Sequence, residues 1–311
     1  MILDNKAVLV TGGTGSFGRA FTRRLLDQYH PRVIRIVSRG ENLQHEMQEE
    51  FGSDTRVRFM VGDIRSLERM RELFNGIDIV VHAAALKEVV SCEYNPSETV
   101  ETNVFGTMNV IKAALDRDVD RVIAISTDKA VYPSNSYGKS KAVMESLMTQ
   151  ANVHFRTKFS CTRYGNVIGS SRSVIPIWEK QRESGVLTLT DTRMTRFWIT
   201  LDQGVDFVIQ CLERMRGGEI FVPKILSRRL VDVAKEIAPN AKLKVIGIKP
   251  GEKLDETLIT PEEARHTRDM STYYMIEPEF SFWGEPLNPG GKPLPEGFTY
   301  SSNIPEIKDE N

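Results

Sequence analysis

Residues 6 to 18 set the first limit on the fold, because the run KAVLVT leads straight into GGTGSFG. A short, apolar, β-branched run reads as a buried strand. Glycines at Gly12, Gly15 and Gly18 then permit a tight turn, close backbone approach to a pyrophosphate, and tight packing of helix on strand. From Thr14, Ser16 and Phe17 the chain continues to Leu26 as an amphipathic helix whose free N–H groups suit phosphates. Strand, glycine turn and helix together predict a dinucleotide-binding α/β unit.

Alternation of strand and helix persists. Val33–Val37 reads as a second strand ending in Ser38-Arg39. An enzyme that selects NAD usually carries an acid here for the ribose hydroxyls; a hydroxyl and a guanidinium instead suit a 2′-phosphate, which predicts NADP. A third strand from Arg56 runs into Gly62-Asp63-Ile64, a loop placed to flank the adenine. A fourth, from Ile77 to His82, ends in Ala83-Ala84-Ala85, small enough for a cofactor to lie over the chain. Lys87 follows on that rim, and a helix bearing Asn103 and an Ala-rich face leads to a fifth strand at Arg121–Ile125. Lys158–Arg163 reads as the sixth. Such an order predicts a Rossmann-like, doubly wound parallel sheet of the α/β class with a smaller, discontinuous C-terminal substrate-binding lobe. The expected division is a dinucleotide-binding domain at 1–165, rejoined by 195–215, a lobe made of 166–194 and 216–277, and an irregular tail at 278–311.

The chemistry concentrates in ISTDKAVYPSNSYGKSK, residues 125 to 141. Tyr137-x-x-x-Lys141 places a phenol and an ammonium on one helix face, and a fixed ammonium is expected to lower the phenol's pKa. Ser126-Thr127-Asp128-Lys129 lies just past a strand end, where open α/β sheets place ligands. Arg193 and Arg196, three apart beside aromatic residues, are candidates to grip a diphosphate and a base. Composition narrows the rest. A net charge of -1 argues against nucleic-acid or anionic-membrane partners. Cys92, Cys161 and Cys211 and the five histidines show no disulfide or metal spacing. No apolar run approaches a membrane span, so a cytoplasmic enzyme is expected.

With TGGTGSFG, STDK and YGKSK in this order, the chain resembles an extended short-chain dehydrogenase/reductase. It is most similar to the configuration-inverting UDP-N-acetylglucosamine 4,6-dehydratases of polysaccharide biosynthesis. The likeness runs from about residue 5 to 282 and includes His82-Ala-Ala-Ala-Leu-Lys87, Glu93-Tyr-Asn-Pro96, Arg163-Tyr-Gly-Asn166-Val, the segment Thr190–Leu201, and Gly218–Lys224. Asp128-Lys129 after Thr127 is the pair of the inverting group. Sugar 4-epimerases usually place small or apolar residues there, and the deoxythymidine-diphosphate-glucose dehydratases place Asp-Glu. Retaining relatives commonly have Met where Tyr137 stands.

The resemblance implies an internal NADP hydride cycle that yields UDP-2-acetamido-2,6-dideoxy-β-L-arabino-hex-4-ulose. Tyr137 and Lys141 would serve oxidation at C4, while Thr127 bonds the C4 oxygen. Lys129, deprotonated by burial and neighbouring cations, would remove the C5 proton, and a protonated Asp128 would release the C6 hydroxyl as water. Lys87, Asn166, Arg193, Arg196, Lys249 and Glu252 would face UDP-N-acetylglucosamine, and the assembly would be a homo-oligomer, often a hexamer. Two departures stand out: the family turn Arg-Pro-Gly-Glu-Lys-Leu-His-Glu has Lys249 and Asp255 in place of its arginine and histidine, and Tyr132 follows the Asp-Lys pair where smaller residues are common. The competing expectations are a UDP-sugar 4-epimerase, a retaining dehydratase, and a non-catalytic NADP-binding regulator.

Overall fold

The computed structural model describes residues 1–154, 156–169, 174–280 and 290–303. The N-terminal half alternates as expected: β1 (Ala7–Thr11), α1 (Ser16–Gln28), β2 (Val33–Ser38), α2 (Glu41–Phe51), β3 (Val57–Val61), α3 (Leu67–Leu73) and β4 (Ile79–His82). Two short helices, α4 (Val89–Tyr94) and α5 (Pro96–Val100), lead through a π-turn at Glu101–Phe105 into α6 (Gly106–Asp116). Then come β5 (Arg121–Thr127), α7 (Ser136–Gln150), β6 (Lys158–Tyr164), β7 (Asn166–Val167), α8 (Val174–Arg182), β8 (Val186–Leu189), β9 (Thr195–Ile199) and α9 (Leu201–Arg214). The remainder is β10 (Ile220–Pro223), β11 (Leu226–Arg229), α10 (Leu230–Ile237), β12 (Lys242–Val245), β13 (Thr257–Ile259), α11 (Pro261–Ala264), β14 (Thr267–Asp269), β15 (Tyr273–Ile276), β16 (Lys292–Pro293) and β17 (Tyr300–Ser301).

One ten-stranded sheet carries the structure, in the order β16-β14-β15-β10-β6-β5-β4-β1-β2-β3. From β3 to β10 every pairing is parallel, and β15, β14 and β16 continue it antiparallel. Each central strand is buried on both faces, which is why it reads as a continuous apolar run. Val8 and Val10 of β1 enter the layer containing Phe21 and Leu25 of α1 and Val205 and Val208 of α9. Leu9, pointing the other way, joins Val110 of α6 and Met144 of α7. A separate apolar cluster around Trp178, Leu187, Trp198 and Leu230 packs β8, β9, α8 and α10. No helix among the described residues is long and apolar enough to cross a membrane.

The C-terminal part departs from expectation. Segment 216–277 is expected in the lobe, yet β10 adds directly to the β6 edge and brings β15 and β14 with it. Phe221 and Val222 are fully buried there, so the sheet gains apolar area by growing. The tail, expected as coil, contributes β16 against β14 and β17 against β13. These two-residue strands are held by backbone partners and leave no periodicity to read. The frayed end expected from Pro305 lies outside the described residues.

A buried charge cluster ties these parts together. Arg163 on β6 is 3% exposed. It donates to both carboxylate oxygens of Glu145 on α7, at 2.9 and 2.6 Å, to those of Glu263 on α11, at 3.0 and 2.8 Å, and to the Leu258 carbonyl. Removing the guanidinium would leave Glu145 buried without its counter-charge. Arg163→Met is therefore expected to cost about 3–5 kcal/mol in urea unfolding, whereas Arg193→Met, at an exposed pair, should leave the unfolding midpoint nearly unchanged.

Candidate active site

The strand order reverses between β2 and β4 on either side of β1, and the crevice at their carboxyl ends is where such sheets hold ligands. Gly12 has φ +64°, and a Cβ there would lie 2.7 Å from the Ala84 Cα and 2.8 Å from its N. Glycine is thus required for the close approach of the turn to the β4 exit. A cavity of about 290 Å³ opens beside it, lined by Gly12, Thr14, Gly15, Ala84 and Ala85 at one end and Ser38, Arg39, Asp63 and Ile64 at the other. α1 begins at Ser16 behind Gly15, an N-cap residue that makes no side-chain cap, and a helix N-terminus of this kind suits an anion. Phe17 stacks on Phe21 within the core layer, Gly18 lets the turn close against the Gly13 carbonyl, and the Ala83 N–H donates to the Thr11 carbonyl.

Beneath this cradle lies His82, which the sequence showed only as a strand residue. Its Nδ1 is 2.7 Å from Thr11 Oγ1 and its Nε2 is 3.1 Å from Thr107 Oγ1. Thr107 itself donates to the Asn103 carbonyl, so its hydroxyl accepts from Nε2–H and the tautomer follows. Burial, with the Lys141 cation second, lowers His82 to about 3 and keeps it neutral. Asn103 in the π-turn accepts from the Leu86 N–H and donates to Ser140 of α7; its amide links the β4 exit to α7. The Ser38 hydroxyl accepts from Gln44 Nε2 at 3.0 Å, which leaves its own hydrogen free to donate. Arg39 is half exposed, 3.9 Å from Asp63; Asp63 bonds chiefly to Arg65. These groups fit a nicotinamide dinucleotide.

At the end of β5 the chain turns through a single 3-10 turn, Asp128–Ala130. Asp128 is completely buried. Its Oδ1 accepts from the Thr127 hydroxyl and the Lys129 ammonium, both at 2.9 Å, and its Oδ2 is buried with no hydrogen-bond partner. Lys129 also donates to Asn166 Oδ1 at 3.3 Å and lies 3.7 Å from Glu256. The sequence predicted a neutral amine surrounded by cations. Burial does favour the neutral form, but the Asp128 and Glu256 carboxylates outweigh it, and the affinity of Lys129 for its proton is raised well above that of an ordinary lysine. Lys129 is an ammonium in this state.

Tyr137 and Lys141 follow on α7, which is capped by Asn135 Oδ1 accepting the Gly138 N–H at 2.8 Å. The lowered phenol pKa expected from their spacing is corrected too. Burial pushes Tyr137 up to about 12, with Lys129 pulling the other way. The Lys141 ammonium is turned to the Ile125 carbonyl and to Met144 Sδ, and burial lowers it to about 8. Tyr132 has φ +45°, a strained value for an aromatic residue; it stands exposed, its hydroxyl donating to Glu262 at 3.4 Å.

The other predicted substrate residues divide. Asn166 reaches the centre through Lys129. Arg196 is buried with its terminal nitrogens donating to the carbonyls of Thr195, Leu254 and Lys253, so in this state it clamps a loop. Arg193 is exposed and paired with Asp191. Lys87 is exposed on the segment after β4. Lys249 is exposed, and its N–H donates to Glu252 at 3.2 Å. Their turn docks on the N-terminal cap of α7, since the Gly251 carbonyl accepts from Ser134 and Asn135. Sequence reasoning missed Glu256 and Lys253; the signal available was the final acid of the Gly-Glu-Lys-Leu-x-Glu turn.

The polysaccharide biosynthesis protein family profile matches residues 8–278. Over 97% of this chain and 94% of that protein, the sequence is 44% identical to a UDP-N-acetylglucosamine 4,6-dehydratase (inverting) of Campylobacter jejuni subsp. jejuni serotype O:2. A UDP-glucose 4-epimerase of Rickettsia bellii is 40% identical over 89% of this chain and 84% of its own. Among solved structures, Pen from Bacillus thuringiensis superposes with a TM-score of 0.90 at 38% identity, covering 97% of this chain and 94% of that one. The chain belongs to the polysaccharide biosynthesis protein family, within the extended short-chain dehydrogenase/reductases.

Proposed function

We propose that the protein is a UDP-N-acetylglucosamine 4,6-dehydratase that inverts C5, a hydro-lyase that uses NADP. The observation that carries this reading is the Asp128–Lys129 couple, a fully buried carboxylate whose Oδ1 accepts from the Lys129 ammonium while its Oδ2 has no hydrogen-bond partner. A 4-epimerase moves protons only at C4 and has no task for such a couple. Elimination of water across C5 and C6 needs both members.

Tyr137, as the phenolate left once its own proton has passed to solvent, takes the C4 hydroxyl proton, with Thr127 bonding the C4 oxygen. A nicotinamide dinucleotide held by the Gly12–Gly15 turn, Ala84 and Ala85 would supply the hydride acceptor at C4 and the hydride returned at C6, and its positive charge would lower the proton affinity of the phenol. The resulting ketone acidifies the C5 proton. Transfer of one proton along the 2.9 Å Lys129–Asp128 bond converts the ion pair into a neutral amine and a neutral acid, a change favoured when substrate displaces water from a buried site. The amine then takes the C5 proton, the acid protonates the departing C6 hydroxyl, and the ion pair is restored. The proton that Tyr137 took at C4 balances the one delivered to the opposite face of C5, directly or through water.

Lys129→Met is expected to cut water loss by about 10²–10⁴-fold while the absorbance of reduced nicotinamide still rises in a single turnover. Undiminished dehydration would remove Lys129 from the mechanism. Ser38 and Arg39 support NADP over NAD. Arg39→Ala should weaken NADPH by about ten- to hundredfold and leave NADH within about threefold, read by fluorescence titration; equal losses would count against a 2′-phosphate contact.

A further inference from the structure

A second carboxylate lies beside the proposed base, and no step of the reaction uses it. Glu256 is 2% exposed, with Oε1 3.7 Å from Lys129 Nζ and 3.9 Å from Arg196 Nε. Its Oε2 is 2.9 Å from the Lys253 ammonium yet out of hydrogen-bonding alignment with it, and buried. A buried anion so poorly bonded is costly to the fold.

The chain nevertheless fixes it from several sides. The Glu256 N–H donates to Ser302 Oγ at 2.9 Å, and its carbonyl accepts from the Ser302 N–H at 2.8 Å and the Ser301 hydroxyl at 3.2 Å. Asp255 accepts from Thr195 of β9 at 2.8 Å and from Asn303 at 3.1 Å. Arg196 holds the carbonyls just before. β9 and the C-terminal strand together aim the carboxylate at Lys129.

We propose that Glu256 is a positioning residue that keeps the proton shared by Asp128 and Lys129 in the site, with the C-terminal strand as its mount. The inference rests on the dehydratase reading above for its consequence in catalysis. The charged and titratable groups facing Lys129 are Asp128 at the β5 end, Glu256 on the loop, Arg196 on β9 and Tyr137 on α7; Lys253 reaches it through Glu256. The acid–base couple works with one proton between its two members. A second negative charge next to the amine opposes loss of that proton to solvent. Once the proton is gone, Asp128 has nothing to give the departing hydroxyl.

Competitive acylation of lysines in the folded protein without substrate, read by peptide mass spectrometry at one alkaline pH, tests this against exposed Lys180 and Lys242. Glu256→Gln keeps the volume and removes the charge, so Lys129 should label about tenfold faster, equal to about one pH unit. Glu256→Asp should stay within about threefold of the parent. In kinetics, the alkaline limb of kcat/KM for water loss should move to lower pH by about one unit in Glu256→Gln. An unchanged labelling ratio in Glu256→Gln overturns the proposal. If that variant does not fold, Ser302→Ala loosens the mount, and an unchanged ratio there overturns it equally. Faster labelling without any dehydration by the parent enzyme would uphold the charge coupling and count against the dehydratase reading.

Discussion

A carboxylate cut off from water at the end of a central strand organises this molecule. Burying Asp128 costs several kcal/mol unless donors and opposite charge gather round it, and its own turn supplies both, from the Thr127 hydroxyl and the Lys129 ammonium. The ammonium itself draws Asn166 Oδ1 from β7 and the Glu256 carboxylate from a loop more than a hundred residues on. That loop is in turn held by Arg196 and by the C-terminal strand. β7, the Glu256 loop and the C-terminal strand therefore meet at one buried ion pair, and Arg163 braces α7 against α11.

Much of the fold was legible because its signals are local. The β1 turn needs Gly12 for its approach to Ala84, and the parallel strands are buried on both faces, so glycine spacing and apolar runs report them directly. The placement of Thr127, Asp128 and Lys129 followed from a strand end. What could not be read was long-range. β10, β14 and β15 extend the large sheet because a free edge and apolar side chains were available there, which no periodicity announces. Glu256 gains its meaning from a contact with Lys129 that only the folded chain makes.

Charge states were the least legible part. Spacing puts Tyr137 and Lys141 on one helix face, but it says nothing of the Ile125 carbonyl that takes up the ammonium or of the burial that raises the phenol. Likewise a base at Lys129 is expected to be a neutral amine among cations, whereas its neighbours in space are two carboxylates. The two corrections have one cause: proton affinity is set by desolvation and by the nearest charges in three dimensions. They also point the same way, to a resting site that holds its protons until ligands change the surroundings.

The most direct measurement is proton NMR of the purified protein incubated with UDP-N-acetylglucosamine in heavy water. A buried acid–base couple that eliminates water predicts a new C6 methyl, deuterium at C5, and coupling constants of an inverted C5. A methyl with C5 unexchanged and retained, or a galacto isomer with no methyl, would contradict the role of Asp128 and Lys129 as that couple.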